Sequence, residues 1–159
     1  MAAIGEVDEA NCAIGVAIAA LAPGELADRL RRIQNEMFDL GADLATPFGT
    51  EFEAHALRIV ARQVGRLEEE IDAMNASLEP LTSFILPGGS TGVALLHHAR
   101  CDVRRAERAG VALHEVTPVN ADALAYLNRL SDHLFVAARH LAASEGGDVL
   151  WQPGATRAD

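Results

Sequence analysis

Apolar residues recur at steps of three and four along most of this chain, the period of an α-helix with one buried face. In the first such segment, from about Val7 to Leu21, the stripe is Val7, Asn11, Ile14, Ile18 and Leu21, and Ala22-Pro23-Gly24 ends it. The second runs from about Glu25 to Ala45, with Leu26, Leu30, Ile33, Met37, Leu40 and Leu44 as its seam, and Thr46-Pro47-Phe48-Gly49 breaks it. The third, from about Glu53 to Leu78, places Leu57, Val60, Val64, Leu67, Ile71 and Met74 on one face. Its acidic run Glu68-Glu69-Glu70 is expected to lie mostly off that stripe, in solvent. A fourth segment runs from near Ser90 to near His114, and a fifth from Asn120, a candidate N-cap, to about Ala143, closed by Glu145-Gly146-Gly147. The pattern predicts an all-α protein: a five-helix bundle within residues 1–159, ending in an irregular tail over 146–159. No repeat, low-complexity tract or linker divides it.

The stretch between the third and fourth segments, Glu79-Pro80-Leu81-Thr82-Ser83-Phe84-Ile85-Leu86-Pro87-Gly88-Gly89, is apolar for a loop. Its Gly88-Gly89 pair stands before a helix, where backbone N–H groups attract anions. No Gly-Lys-Ser/Thr follows, so it is not a Walker A loop, and the geometry of a tight turn accounts for the pair equally well.

Polar residues on the last two segments stand where a plain bundle would not need them. At about 100° per residue, Leu95, Leu96, Ala99, Val103, Ala106, Gly110 and Leu113 form the buried stripe of the fourth segment. Arg100, Arg104 and Arg108 line one edge of it, with His97 and Glu107 on the same side, while Arg105 and His98 are expected in solvent. Like charges stacked four apart repel by about 0.2–0.5 kcal/mol per pair. An anionic partner, carboxylate or polyphosphate, would justify the arrangement; a surface ladder neutralised by Glu107 is the alternative. On the fifth segment, Leu124, Leu127, Leu130, Leu134, Ala138 and Leu141 make the apolar face, edged by Asn128, Asp132, Phe135 and Arg139. Asn and Asp compete with the backbone inside helices, so this edge is either a polar site, a subunit contact or a half-exposed helix margin.

Composition narrows the choices. Half of the residues are hydrophobic but only 4% aromatic, as suits helix-on-helix packing. The formal net charge of −10 disfavours nucleic-acid partners. All 13 basic residues are Arg, the better fork for carboxylate and phosphate, although genome composition alone can produce the same bias. Cys12 and Cys101 have no CxxC or zinc spacing and are expected as buried or half-buried free thiols in a reducing compartment. No apolar run is long enough to span a membrane and no signal peptide is visible, so a cytoplasmic protein is expected. The paired Glu-x-x-His motifs of a di-iron bundle are absent, and no metal-ligating set is assigned.

Several motifs resemble one family. Gly5-Glu6-Val7-Asp8-Glu9-Ala10-Asn11 resembles the opening of the first bundle helix of the PduO-type ATP:cob(I)alamin adenosyltransferases, and Ile33-Gln34-Asn35-Glu36-Met37-Phe38-Asp39-Leu40-Gly41-Ala42 their second helix. Phe84-Ile85-Leu86-Pro87-Gly88-Gly89 resembles the loop entering their main catalytic helix. Ala99-Arg100-Cys101-Asp102-Val103-Arg104-Arg105-Ala106-Glu107-Arg108 and Tyr126-Leu127-Asn128-Arg129-Leu130-Ser131-Asp132-His133-Leu134-Phe135 are similar to the family's two signatures. The matches are collinear over nearly the whole chain.

The resemblance implies a five-helix bundle assembled as a homotrimer, with sites between subunits. There the 5′-deoxyadenosyl group of ATP passes to the cobalt of cob(I)alamin and triphosphate leaves, Mg²⁺ accompanying the nucleotide. It implies that Arg104 contacts the phosphates, that Asn128 belongs to the nucleotide site, and that Glu107 and Arg108 belong to the same signature. It further implies that Arg100 pairs with Asp8 of the adjacent subunit and that Phe84 packs under the corrin, excluding the lower axial ligand. A cob(II)alamin reductase and an adenosylcobalamin-dependent enzyme are the implied functional partners. The family's glycine-rich N-terminal segment, with its Thr-Gly-Asp-x-Gly core that wraps the phosphates, has no counterpart in these residues. Either upstream residues lie outside this sequence, which is the favoured expectation, or the protein is a shortened homologue that binds or carries a corrinoid.

Overall fold

A computed structural model describes residues 1–157. Its helices are α1 (Ala2–Ala19), α2 (Glu25–Ala45), α3 (Ala61–Asn75), α4 (Thr91–His114) and α5 (Ala121–Ser144), with a short 3-10 turn at Glu53–His55. Helix α4 packs extensively against both α1 and α5, α3 lies on α5, and α1 lies on α2. The predicted stripes supply the core. Ile14, Leu30, Ile33, Met37, Leu40, Leu67, Leu96, Leu127, Leu130 and Leu134 are buried, each such large side chain contributing about 2 kcal/mol on leaving water.

The expected Asn120 cap is present, and the structure adds one at Ser90. Ser90 Oγ accepts from the Val93 N–H (3.4 Å) and Asn120 Oδ1 from the Asp122 N–H (3.1 Å), each satisfying a helix N–H that has no partner within the first turn. Gly89 has φ +116°, a conformation that side chains rarely adopt, so the turn into α4 explains that glycine.

The structure differs from the pattern in three respects. Helix α1 begins at Ala2, earlier than the Val7 expected, and stops at Ala19, short of Leu21. Helix α3 spans only Ala61–Asn75. Leu57 and Val60, counted in its stripe, are exposed on the approach to it. The third correction is Glu70, which is buried rather than solvated.

The late start of α3 and the burial of Glu70 share a cause. Buried carboxylates on α2 and α3 bind partners far away in sequence, and pattern reading cannot find such partners. Asp43 accepts from Arg58 Nη1 (2.7 Å), the Ile59 N–H (2.8 Å) and Asn120 Nδ2 (2.7 Å), pinning residues 58–59 as extended chain between α2 and the start of α5. Glu36 accepts from Tyr126 Oη (2.7 Å) and pairs with Arg66. Glu70 pairs with Arg32 and His133 Nε2 (2.9 Å). Burial pushes the Glu70 carboxyl up, but the His133 hydrogen bond and the Arg32 and His133 charges outweigh it and hold it below its ordinary value. Cys12 and Cys101 are exposed thiols, contrary to the buried or half-buried expectation.

Candidate functional site

Two features lie along α4. The first joins α4 to α5 through Glu107. Its Oε2 accepts from Arg104 Nη1 (2.6 Å) and its Oε1 from Asn128 Nδ2 (2.8 Å). Asn128 Oδ1 in turn accepts from Arg129 Nη1 (3.1 Å), and Arg108 Nη1 donates to the Arg104 carbonyl (3.1 Å). The sequence candidates Arg104, Glu107, Arg108 and Asn128 thus form one connected group. Glu107 neutralises Arg104, as the surface-ladder alternative required, but it also aligns an asparagine from the next helix. The side chain of Arg104 is 46% exposed, so its guanidinium can add an anionic partner without being dug out of the core.

The second feature is an open cleft of about 530 Å³ between the 81–87 loop and the α4–α5 pair, lined by Phe84, Pro87, His97, Arg100 and Phe135 among others. Phe84, at 77% exposure, stands at this cleft with its ring in water. A loop carrying so exposed a phenyl needs support, and the tail gives it. Ile85 bridges Leu150 in antiparallel fashion, the Leu86 N–H donates to Val149 O (2.8 Å), the Trp151 N–H to Phe84 O (2.8 Å), and Ser83 Oγ to Trp151 O (2.8 Å). The Trp151 ring meets Phe84 edge-on at 6.0 Å. Buried Arg139 ties the start of the loop to the tail, its Nε on Asp148 (3.0 Å) and its Nη2 on the Glu79 carbonyl (2.8 Å). Sequence reading placed Arg139 on a mixed edge and missed this tie. The available signal was that an apolar loop and an apolar tail, Val149-Leu150-Trp151, each lacked a partner.

Asp8 and Arg100 are apart from the Glu107 group. Among the described residues neither has an ion-pair partner in its own chain. Asp8 is exposed and lines a groove between α1 and α2 beside Phe38, which is itself 72% exposed. Arg105 corrects the wheel reading. It donates to Asp102 Oδ1 (2.8 Å) on its own helix and pairs with Glu6 and Glu9 of α1, so it fastens α1 to α4 instead of lying free in solvent. The Glu6 and Glu9 spacing was the clue. Those hydrogen bonds and charges raise its pKa still further and keep it protonated.

Among the described residues no three His, Cys, Asp or Glu side chains converge as a metal site, and no helix is long and apolar enough to cross a membrane.

The profile of the family described as Cobalamin adenosyltransferase matches residues 1–141. A corrinoid adenosyltransferase of Mycobacterium tuberculosis is 49% identical over 160 residues, spanning 99% of this chain and 82% of that one. Its Bacillus subtilis counterpart is 44% identical over 156 residues, 95% and 79% of the two chains. The fold is similar to a variant PduO-type ATP:corrinoid adenosyltransferase from Lactobacillus reuteri complexed with cobalamin and ATP, with TM-score 0.87 and 38% identity over 95% of this chain and 84% of that chain. A second variant, complexed with ATP, gives TM-score 0.88 at 38% identity, covering 95% and 85%. This chain belongs to the cobalamin adenosyltransferase family.

Proposed function

We propose that this protein transfers the 5′-deoxyadenosyl group of ATP to cob(I)alamin, forming adenosylcobalamin and triphosphate. The observation that carries the reading, beside family membership, is the placement on one helix face, a turn apart, of a half-exposed arginine cluster and an apolar cleft with an exposed phenylalanine. The cobalt lone pair of cob(I)alamin attacks C5′ of ATP. The Co–C bond forms as the C5′–O bond breaks, the electron pair leaves with triphosphate, and cobalt(I) becomes cobalt(III). The nucleophile belongs to the substrate, so the protein needs neither serine nor histidine for it and contributes positioning and charge.

In this reading Arg104 faces the triphosphate, where charge grows as the bond breaks, and a preorganised guanidinium is worth most there. Glu107 holds Arg104 and Asn128 in mutual register, and Arg108 adds positive charge one turn on. Phe84 lies against the lower face of the corrin and keeps ligands off the cobalt. The tail strand and Arg139 fix the loop that carries it. Arg100 pairs with Asp8 of a neighbouring copy in a homotrimer, which supplies each with an opposite charge that the described residues of its own chain do not. Mg²⁺ would travel with the nucleotide through phosphate oxygens and water; the described side chains form no cage for it, and no step here depends on it. The protein would work in the cytoplasm, between a cob(II)alamin reductase and an adenosylcobalamin-dependent enzyme.

The test is anaerobic incubation with ATP and chemically reduced cobalamin, following the visible spectrum of adenosylcobalamin and the release of triphosphate in equal amounts. Corrinoid binding without turnover would remove the transferase reading and leave a carrier.

A further inference from the structure

The cleft beside Phe84 has apolar walls but a polar spot on its α4 side. His97 is 3% exposed and lines the cleft, yet among the described residues neither of its ring nitrogens has a hydrogen-bond partner. Three residues on, Arg100 lines the same cleft, and its Nε is also buried and unpartnered. Buried polar atoms normally find partners because an unmade bond forfeits hydration. Two such residues side by side in one open cleft mark a place where a ligand completes the bonding. Phe135 of α5 braces the imidazole edge-on, with ring centroids 6.1 Å apart. Burial, and then the Arg100 charge, hold His97 below its ordinary pKa, so it is neutral, with one nitrogen donating and one accepting.

We propose that His97 is a binding residue of the corrinoid subsite, hydrogen-bonding a carboxamide on the rim of the macrocycle, with the Arg100 Nε–H as a second donor beside it. The proposal rests on the reading that places the corrin against Phe84. A cobalamin rim carries acetamide and propionamide arms, each offering a carbonyl to accept and an NH₂ to donate. A neutral imidazole next to an N–H donor matches both. A carboxylate or phosphate would use the donors and leave the imidazole acceptor unmatched. The apolar walls suit the hydrocarbon edge of the same ring system.

The test compares wild type with His97→Leu and His97→Gln, all checked for fold and oligomeric state. A buried imidazole without hydrogen-bond partners costs stability, so His97→Leu should melt at the same temperature or higher without ligand. Its KM for cob(I)alamin should rise about tenfold, the scale of one neutral hydrogen bond, while its KM for ATP stays unchanged. His97→Gln, which keeps a donor and an acceptor, should recover part of the loss. A cobalamin with one rim carboxamide hydrolysed to the acid should lose affinity for wild type, for at least one of the ring positions, and not for His97→Leu.

Absorbance titration with cob(II)alamin in the presence of ATP gives the same comparison without turnover. Unchanged corrinoid KM and dissociation constant in a folded His97→Leu protein would overturn the proposal while leaving an active wild type, and so the proposed function, intact. A lower melting temperature with parallel losses for ATP and corrinoid would make His97 a structural residue and also overturn it. A wild type that binds no corrinoid would sink both readings.

Discussion

Arg104 and Arg105 are adjacent in sequence, yet their guanidinium groups serve different helices. Arg104 reaches Glu107 on the side shared with Asn128 of α5, and Arg105 reaches Glu6 and Glu9 of α1. Arg104→Ala should therefore lower steady-state turnover by about 10²-fold or more, the scale of losing a donor aimed at developing charge. Arg104→Lys should restore it only in part, since an ammonium lacks the planar fork. Arg105→Ala should behave differently: a lower melting temperature from a loosened α1, with turnover per folded molecule close to wild type. Its ion pairs are half exposed and screened, which keeps the stability change modest. Equal losses of turnover at both positions, with cob(I)alamin saturating and ATP varied, would mean that the phosphate site is not on the Arg104 side of α4.

At the scale of elements, the critical join is between the 81–87 loop and the tail. Arg139 and Asp148 are almost wholly buried as a pair, and Arg139 also holds the Glu79 carbonyl. Removing one partner of such a pair strands the other in the interior, at a cost of about 3–5 kcal/mol. Arg139→Ala should thus lower the unfolding free energy by that order and free the strand pairing that supports Phe84. Chemical denaturation measures the first effect. Amide exchange at Leu86 and Trp151, whose N–H groups join the two strands, measures the second. If Arg139→Ala leaves those amides as protected as in wild type, the arginine is not the anchor of the loop.

For the whole molecule, two groups tie stability to pH below neutrality. His97 has a folded pKa below its ordinary 6.5. Below that value the unfolded chain takes up a proton that the folded protein resists, so the contribution of neutral His97 is complete above about pH 6.5 and is lost as pH falls toward the folded value. Glu70 is lowered from 4.5, and its contribution is lost in turn on further acidification below that value. Urea midpoints measured downward from neutral pH should fall in two successive stages, and in His97→Leu the first stage should shrink. Assembly is the other property of the whole. Asp8 and Arg100, which have no ion-pair partner among the described residues, lead us to expect a trimer in sedimentation equilibrium at micromolar concentration, weakened by Arg100→Ala. A monomer under those conditions would leave the intersubunit pair without a basis.

The sequence by itself determined that the protein is helical, where α2 runs, where α4 and α5 begin, and which stripes are buried. Helical period, caps and glycine breaks are local physics, readable within a few residues. It also brought forward Arg104, Glu107, Arg108 and Asn128, because charged and amide groups beside an apolar stripe are conspicuous on a helical wheel. The packing of the folded chain was needed to show that Glu107 joins Arg104 to Asn128, that Arg105 pairs with α1, and that Glu70 is buried. It alone decided that α3 is short, because Asp43 holds residues 58–59 extended from across the fold. The same is true of the tail segment that carries Trp151 beside Phe84, since neither segment has a period and the Ser83–Trp151 contact crosses 68 residues of chain. Burial of a polar group depends on a partner, and partners distant in sequence meet only when the chain is folded.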